Sequence, residues 1–489
     1  MGVVAKQSFY NSITIGLAFV IGALNTVFLY PTHMGSKLQG LVVALLALSN
    51  LVQPFISFGV QHAVIKFYSN LQTKEEKDKL LSFSLFLPLS VFVVLLAISS
   101  VFYSEIVDFI ASENKEMGKY AYLILTIAFA TALFEVFYNW LRIQLLSVFG
   151  NFLKEFFPRV LIFVLLLLYA FEVVDFDGFI VGLITGYYLR LLLVIIYSLS
   201  KYTPRFSLAL PDQFKVILKY SLLIFMSGTA ASLILDIDKS MISTILTVEN
   251  VAFYSVAIFI AAVIEFPGRA MFQIISPLVA KALNEGDDIT LKRLLKKSAN
   301  NLLLISGLLF CLINLNLSDF YNWIDLGDYA VALEVVLIVS LGKLFTMSMG
   351  CLNNIITNSK YYVYVFWFST ISALLAVVLN LYLIQWYGIT GAAYATLMVI
   401  VLINILKILL VQYRFKINPY SKASILTVTL ILLVNLIFTF IEFDLSPFMA
   451  LAVRSILIFL VFAVIAHLMK LTTDIQSVLK RILSSFQRT

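Results

Sequence analysis

Eleven ionisable side chains interrupt stretches of this sequence that are otherwise apolar: Glu135, Arg190, Asp236, Asp238, Lys239, Glu265, Arg269, Glu334, Lys343, Lys407 and Arg454. A charge at the centre of a hydrocarbon layer costs at least ~2.5 kcal/mol, so it survives mostly beside a partner, at the interface or in a water-filled cavity. Arg269, Lys343 and Lys239 are donors suited to an anionic ligand, and Asn25 and His62 complete the polar set expected to contact one. Asp238, Glu265 and Glu135 are carboxylates that could take up a proton or Na+. Arg454, Lys407 and Arg190 each stand within reach of a helix end, where snorkelling or a neutralising partner accounts for them.

Two of these groups have competing readings. Glu265 and Arg269 are four apart, the spacing of an intrahelical ion pair. Pro267 and Gly268 between them loosen the helix and could instead leave Arg269 facing an anion. Lys239 beside Asp238 is either a local charge pair or a cation and carboxylate that exchange partners as the chain changes conformation. His62 reads as a packed or hydrogen-bonded histidine, and Lys343, mid-run, is the hardest to explain by snorkelling.

The elements that carry these residues are set by lipid. The 489 residues are 61% hydrophobic and only 12% charged, with a mean hydropathy of +0.99, a balance no water-facing shell sustains. Apolar runs long enough to cross a bilayer as helices recur throughout. They fall near 8–31, 38–65, 80–103, 119–146, 152–171 and 176–199, then 214–237, 250–279, 298–317, 329–357, 361–385 and 389–412, and finally 422–442 and 447–469. The expectation is an all-α integral membrane protein of about 14 transmembrane helices. The first run is too long for a signal-peptide core and reads as a retained span.

Most of the 34 Lys and Arg residues lie at the termini and in loops after even-numbered runs, whereas loops after odd-numbered runs hold only Lys37, Lys115 and Lys119. The positive side is cytoplasmic, so both termini are expected there. The net charge of +7 belongs to that face and needs no nucleic-acid partner.

A constant shift of 213 residues sets Lys6, Ser8, Asn25, Pro54 and Lys79 against Lys219, Ser221, Asp238, Pro267 and Lys292. It also aligns the polar loop 73–79 with 286–292. Six spans per copy is an even number, so the copies share one orientation, as in a parallel repeat with a cavity between two bundles. The division expected is an N-lobe at 1–213, a C-lobe at 214–415, and two C-terminal helices plus a cytoplasmic tail at 416–489. Pro54 with Gly59, and Pro267 with Gly268, break the second and eighth spans at corresponding places and read as hinges.

Enzyme signatures are weak. Gly35 and Gly40 have phosphate-loop spacing, but Leu41 and Val42 stand where Lys and Ser or Thr are needed. Asp236-Ile237-Asp238 looks like a metal-holding carboxylate pair, yet it ends an apolar run with no soluble domain behind it. No loop exceeds roughly 20 residues, leaving little room for an extramembrane active site. No catalytic residue, cofactor or metal site is therefore expected. Cys311 and Cys351 both fall inside apolar runs, so no disulfide framework is expected either.

Several stretches carry a family resemblance. Met34-Gly35, Gly40 and 59–67 look like the amino-terminal signature of the polysaccharide flippases of bacterial O-antigen and capsule assembly. Asp238-Lys239-Ser240-Met241-Ile242, 251–257 and Pro277 are similar to that family's seventh and eighth spans. The most specific stretch is Asp328-Tyr329-Ala330, Asn353-Asn354, Ser359-Lys360, 380–384 and 387–396. Gln385-Trp386 departs from the usual proline, and 36–39 from the usual acidic turn. The resemblance, over about four fifths of the chain, implies a MATE-like arrangement, two six-helix lobes alternating in access. It implies an undecaprenyl-pyrophosphate-linked oligosaccharide as the substrate, moved from the cytoplasmic to the periplasmic leaflet of a bacterial inner membrane. Membrane lipids, H+ or Na+ and a polysaccharide polymerase would be its other partners. The alternative is a cation-coupled drug antiporter of the same superfamily.

Overall fold

In lipid a backbone amide finds no water, so every apolar run must close its hydrogen bonds internally. The computed structural model, which describes residues 3–471 apart from 69–70 and 145, is helical throughout its regular elements. Of the cytoplasmic tail expected after the last run, 472–489 lies outside the described residues. Among those described, 11 helices are long and apolar enough to cross a membrane. One of them, Val363–Phe415, is 53 residues long and leaves helical geometry at Gly388 (φ 59, ψ −139). At 1.5 Å per residue it would measure about 80 Å, so it is two spans joined at that glycine. The pieces Ser147–Asn151, Phe152–Phe156 and Phe157–Ala170 form the fifth span, and Phe214–Ile245 the seventh. Counted with these, the spans among the described residues come to fourteen.

Polar loop residues start the spans where the pattern places them. Thr73 and Glu76 form a capping box at Lys74–Val101, the third span. The Asp287 side chain accepts from Thr290 N–H to open Asp288–Trp323, the ninth. These two devices open helices that the 213-residue shift sets against each other, and they satisfy amides that the first turn leaves without partners.

The breaks are equally local. The second span runs Gly35–Ser57, passes through Phe58 (φ 48) and Gly59 (φ 71), and resumes at Val60–Tyr68. In the eighth, Glu249–Ala262 tightens over Val263–Glu265 before Phe266–Glu285 restarts with Pro267 in its first turn. The first span contains a π-helical stretch, Leu24–Leu29, that nothing in the sequence pattern announces.

Two compact units are present. One comprises Met1–Ser255 and Ala376–Gly388, the other Val256–Leu375 and Ile389–Thr489. The first is built around the fourth span, Tyr122–Ile143, whose Phe134 and Trp140 pack with Val60, Val64, Leu80 and Val194. In the second, the ninth span supplies Leu303, Phe310 and Cys311 to a core shared with Leu430, Val434, Ile458 and Phe462 of the last two helices, Lys422–Thr439 and Pro447–Leu468. Cys311 and Cys351 are free and buried.

Candidate functional site

The seventh span presents its three charges on two faces, because adjacent residues on a helix diverge while residues three apart align. Asp236 and Lys239 share one face and pair at 3.0 Å. The other oxygen of Asp236 accepts from Asn50 Nδ2 at 3.0 Å. Asp238 turns elsewhere and is buried. Its carboxylate accepts from Tyr254 Oη at 2.6 Å and from Asn380 Nδ2 at 2.7 Å. Donors aimed at a buried carboxylate offset part of its desolvation. Asn380 Oδ1, also buried, has no hydrogen-bond partner among the described residues. Two neutral donors thus meet this carboxylate, beside an amide oxygen without a partner among the described residues.

A second polar group of the first unit joins the fourth and fifth spans. Glu135 pairs with Lys154 at 2.7 Å. Lys154 and Arg142 both lie over the Tyr138 ring, at 5.0 and 5.7 Å. His62, exposed on the stretch after the break in the second span, shares the electrostatic surroundings of Glu135, Lys154 and Arg142. Arg190 is buried against Phe134 and Tyr187, 4.3 and 4.7 Å from their ring centres, and donates to Thr131 at 3.3 Å. Asn25 sits in the π-helical stretch and donates to the Arg159 carbonyl at 2.7 Å, tying the first span to the fifth. Asp238, which the 213-residue shift sets against Asn25, ties the seventh span through Asn380 to the eleventh, the part of Val363–Phe415 before Gly388.

In the second unit, Glu265 pairs with Lys343 across helices at 3.0 Å, each side chain about one fifth exposed at 22%. Removing one partner from a buried pair costs about 3 kcal/mol or more, and residual exposure lowers that, so a competing anion could draw Lys343 away. Arg269, one turn past Glu265, is exposed. Gly268 between them lets Met347 approach, since a Cβ there would stand 2.6 Å from its Sδ. Arg454 meets Asp319 at 2.5 Å and the Leu315 carbonyl at 3.0 Å, a neutralised charge.

The sequence-level candidates thus separate into three clusters. Asp236, Asp238 and Lys239 form one, Glu135 and His62 another, and Glu265, Lys343 and Arg269 the third. Sequence reasoning missed Asn50, Arg142, Lys154, Tyr254 and Asn380. Of these only Asn380 and Tyr254 lay in stretches already singled out, and their neutral side chains carried no signal of a role. Among the described residues no group of three or more His, Cys, Asp or Glu could hold a metal ion.

No protein-family model matches the sequence, and no curated protein matches it. Solved structures do. A structure described as the lipid II flippase MurJ in an inward closed conformation aligns over 95% of this chain and 99% of its own, with a TM-score of 0.74 and 17% identity. An inward-facing multidrug resistance MATE family transporter of the MOP superfamily aligns over 84% of this chain and 94% of its own, with a TM-score of 0.55 and 17% identity. The MATE multidrug transporter DinF-BH aligns over 84% and 95%, with a TM-score of 0.53 and 16% identity. At such identities the likeness speaks for the fold, and this chain has the multi-pass helical fold that a lipid flippase shares with the MOP-type membrane transporters.

Proposed function

We propose that this protein is a flippase that carries an undecaprenyl-pyrophosphate-linked oligosaccharide from the cytoplasmic to the periplasmic leaflet of a bacterial inner membrane, with both termini cytoplasmic. The observation that carries the reading is the half-buried Lys343–Glu265 pair with exposed Arg269 one turn away. A diphosphate needs cationic donors inside the membrane, and an ammonium held by an exchangeable carboxylate supplies one without standing bare when the substrate is absent. The fold, shared with a lipid flippase over nearly the whole chain, fits that cargo. Within the first unit, Lys239 released from Asp236, His62 and Asn25 are proposed as separate polar contacts for the cargo.

The transport cycle proposed is alternating access of lobes 1–213 and 214–415, with 416–489 as an accessory pair of helices. Asp238 is the coupling carboxylate, taking H+ or Na+ within reach of Tyr254 and Asn380, and Glu265 and Glu135 are freed or held as their lysine partners move. The protein needs no catalytic residue, because no bond is made or broken. Deleting the gene should remove the surface polysaccharide and pile up its lipid-linked precursor on the cytoplasmic leaflet. Normal surface display in the deletion strain contradicts the proposal.

A further inference from the structure

The twelfth span, the part of Val363–Phe415 after Gly388, carries a cation that the cluster of Glu265, Lys343 and Arg269 does not include. Met398, Leu402, Ile405 and Leu409 are exposed along one stripe of this helix, while Val399, Ile403, Asn404 and Val411 are buried along another. The helical period places Lys407 on the buried stripe, one turn from Ile403, Asn404 and Val411. Its stem therefore leaves from the protein-facing side and not along the lipid-facing one. The apolar run ends near 412, about 7.5 Å farther along the axis, and the Cα–Cβ bond of a helical residue tilts toward the N-terminus, away from that end. Snorkelling, the sequence-level expectation for Lys407, does not account for it.

Partners do not account for it either. Lys343, Lys239 and Lys154 each close on a carboxylate. Half-buried Lys407 makes no ion pair or hydrogen bond among the described residues. A lone ammonium inside a membrane protein is costly unless something anionic visits it.

Its register relative to Lys343 is fixed by one contact. Asn404 Nδ2 donates to Thr346 Oγ1 at 3.1 Å, so these two residues stand level. The tenth span, Leu333–Ser348, which holds Thr346, and the twelfth are both even-numbered and run the same way. Lys343 is one turn before that level and Lys407 one turn after it. The four side chains make a polar strip within the second unit, its two cations about 9 Å apart along the axis. By the orientation proposed above, Lys407 is the one nearer the cytoplasm.

We propose that Lys407 is a second phosphate station, one that meets the diphosphate head group on its way in and passes it, past Asn404 and Thr346, to Lys343. The order follows from the partners. Lys407 has no carboxylate to release before it binds, whereas Lys343 must leave Glu265. This rests on the reading of the protein as a flippase of a lipid-linked diphosphate, and the chemistry recognised, a phosphate-bearing lipid head group, has a second source in the bilayer's own anionic phospholipids.

The test uses the full-length protein in phosphatidylcholine nanodiscs, as wild type, Lys407→Met and Lys407→Arg, titrated with a fluorescent undecaprenyl-pyrophosphate oligosaccharide. A parallel set contains phosphatidylglycerol as competitor. The expected result is binding weakened about tenfold by Lys407→Met, the order of one charge-assisted hydrogen bond, retained by Lys407→Arg, and little affected by phosphatidylglycerol. Wild-type affinity in a folded Lys407→Met variant overturns the assignment, as does an equal loss in Lys407→Arg. Displacement of the probe by phosphatidylglycerol in wild type but not in Lys407→Met assigns the site to bilayer lipid and overturns its role in transport. Failure of wild type itself to bind the probe overturns the flippase reading, and this proposal with it, and is distinguishable from every other outcome.

Discussion

Replacing Asp238 by Asn is expected to abolish the response of transport to an ion gradient while leaving the protein folded. The carboxylate is buried and is held by Tyr254 Oη and Asn380 Nδ2. Asparagine keeps the volume and one acceptor oxygen, but it turns the other oxygen into a donor facing a donor, at a cost of about 1–3 kcal/mol. It also removes the one carboxylate among the three side chains, the group proposed to take up H+ or Na+. Transport measured with and without an imposed proton or sodium gradient should become the same in this variant. Asp238→Leu goes further. Both donors lose their acceptor, so a drop in thermal stability should accompany the loss of coupling. A gradient that still accelerates transport through Asp238→Asn would remove this residue from the coupling mechanism.

The largest structural effect is expected at Gly40. A Cβ built there would lie 1.9 Å from the carbonyl oxygen of Val248 and 2.7 Å from its carbonyl carbon. Those are backbone atoms at the head of the eighth span, and no rotamer can clear them. Small residues let membrane helices approach this closely. An added methyl must push the second span away from residues 248–252, and overpacking of this kind costs about 1–3 kcal/mol even where side chains can yield. Gly40→Ala should lower the thermal transition in detergent, and Gly40→Val should leave little monodisperse protein on size-exclusion chromatography. A Gly40→Ala variant that melts like wild type would show that the two segments separate freely.

Much of the fold was legible because lipid allows so few solutions. Runs such as 422–442 and 447–469 became the helices Lys422–Thr439 and Pro447–Leu468, and the break at Pro54 and Gly59 followed from proline and glycine chemistry alone. The π-helical stretch at Leu24–Leu29 was not legible, since no proline or glycine within it marks the extra residue. Gly40 was visible as part of a signature, but its reason, a backbone 208 residues away, exists only once the helices pack.

The charged residues divide in the same way. That Lys239 pairs with Asp236 and not with its neighbour Asp238 follows from helical period and could have been read directly. The partners of Asp238 could not, because Asn380 lies 142 residues away and reaches it only through the fold. Lys343 with Glu265 joins two spans 78 residues apart. Local spacing had offered Glu265 only Arg269, four residues on.

The most direct measurement is reconstitution of the protein in liposomes with a fluorescent undecaprenyl-pyrophosphate oligosaccharide, following label that reaches the far leaflet for wild type, Arg269→Ala and Lys343→Ala. Flipping by wild type and its loss in folded variants is the predicted result. Wild-type vesicles no faster than protein-free ones would contradict the flippase reading, and full activity in both variants would contradict the placement of the diphosphate at these cations.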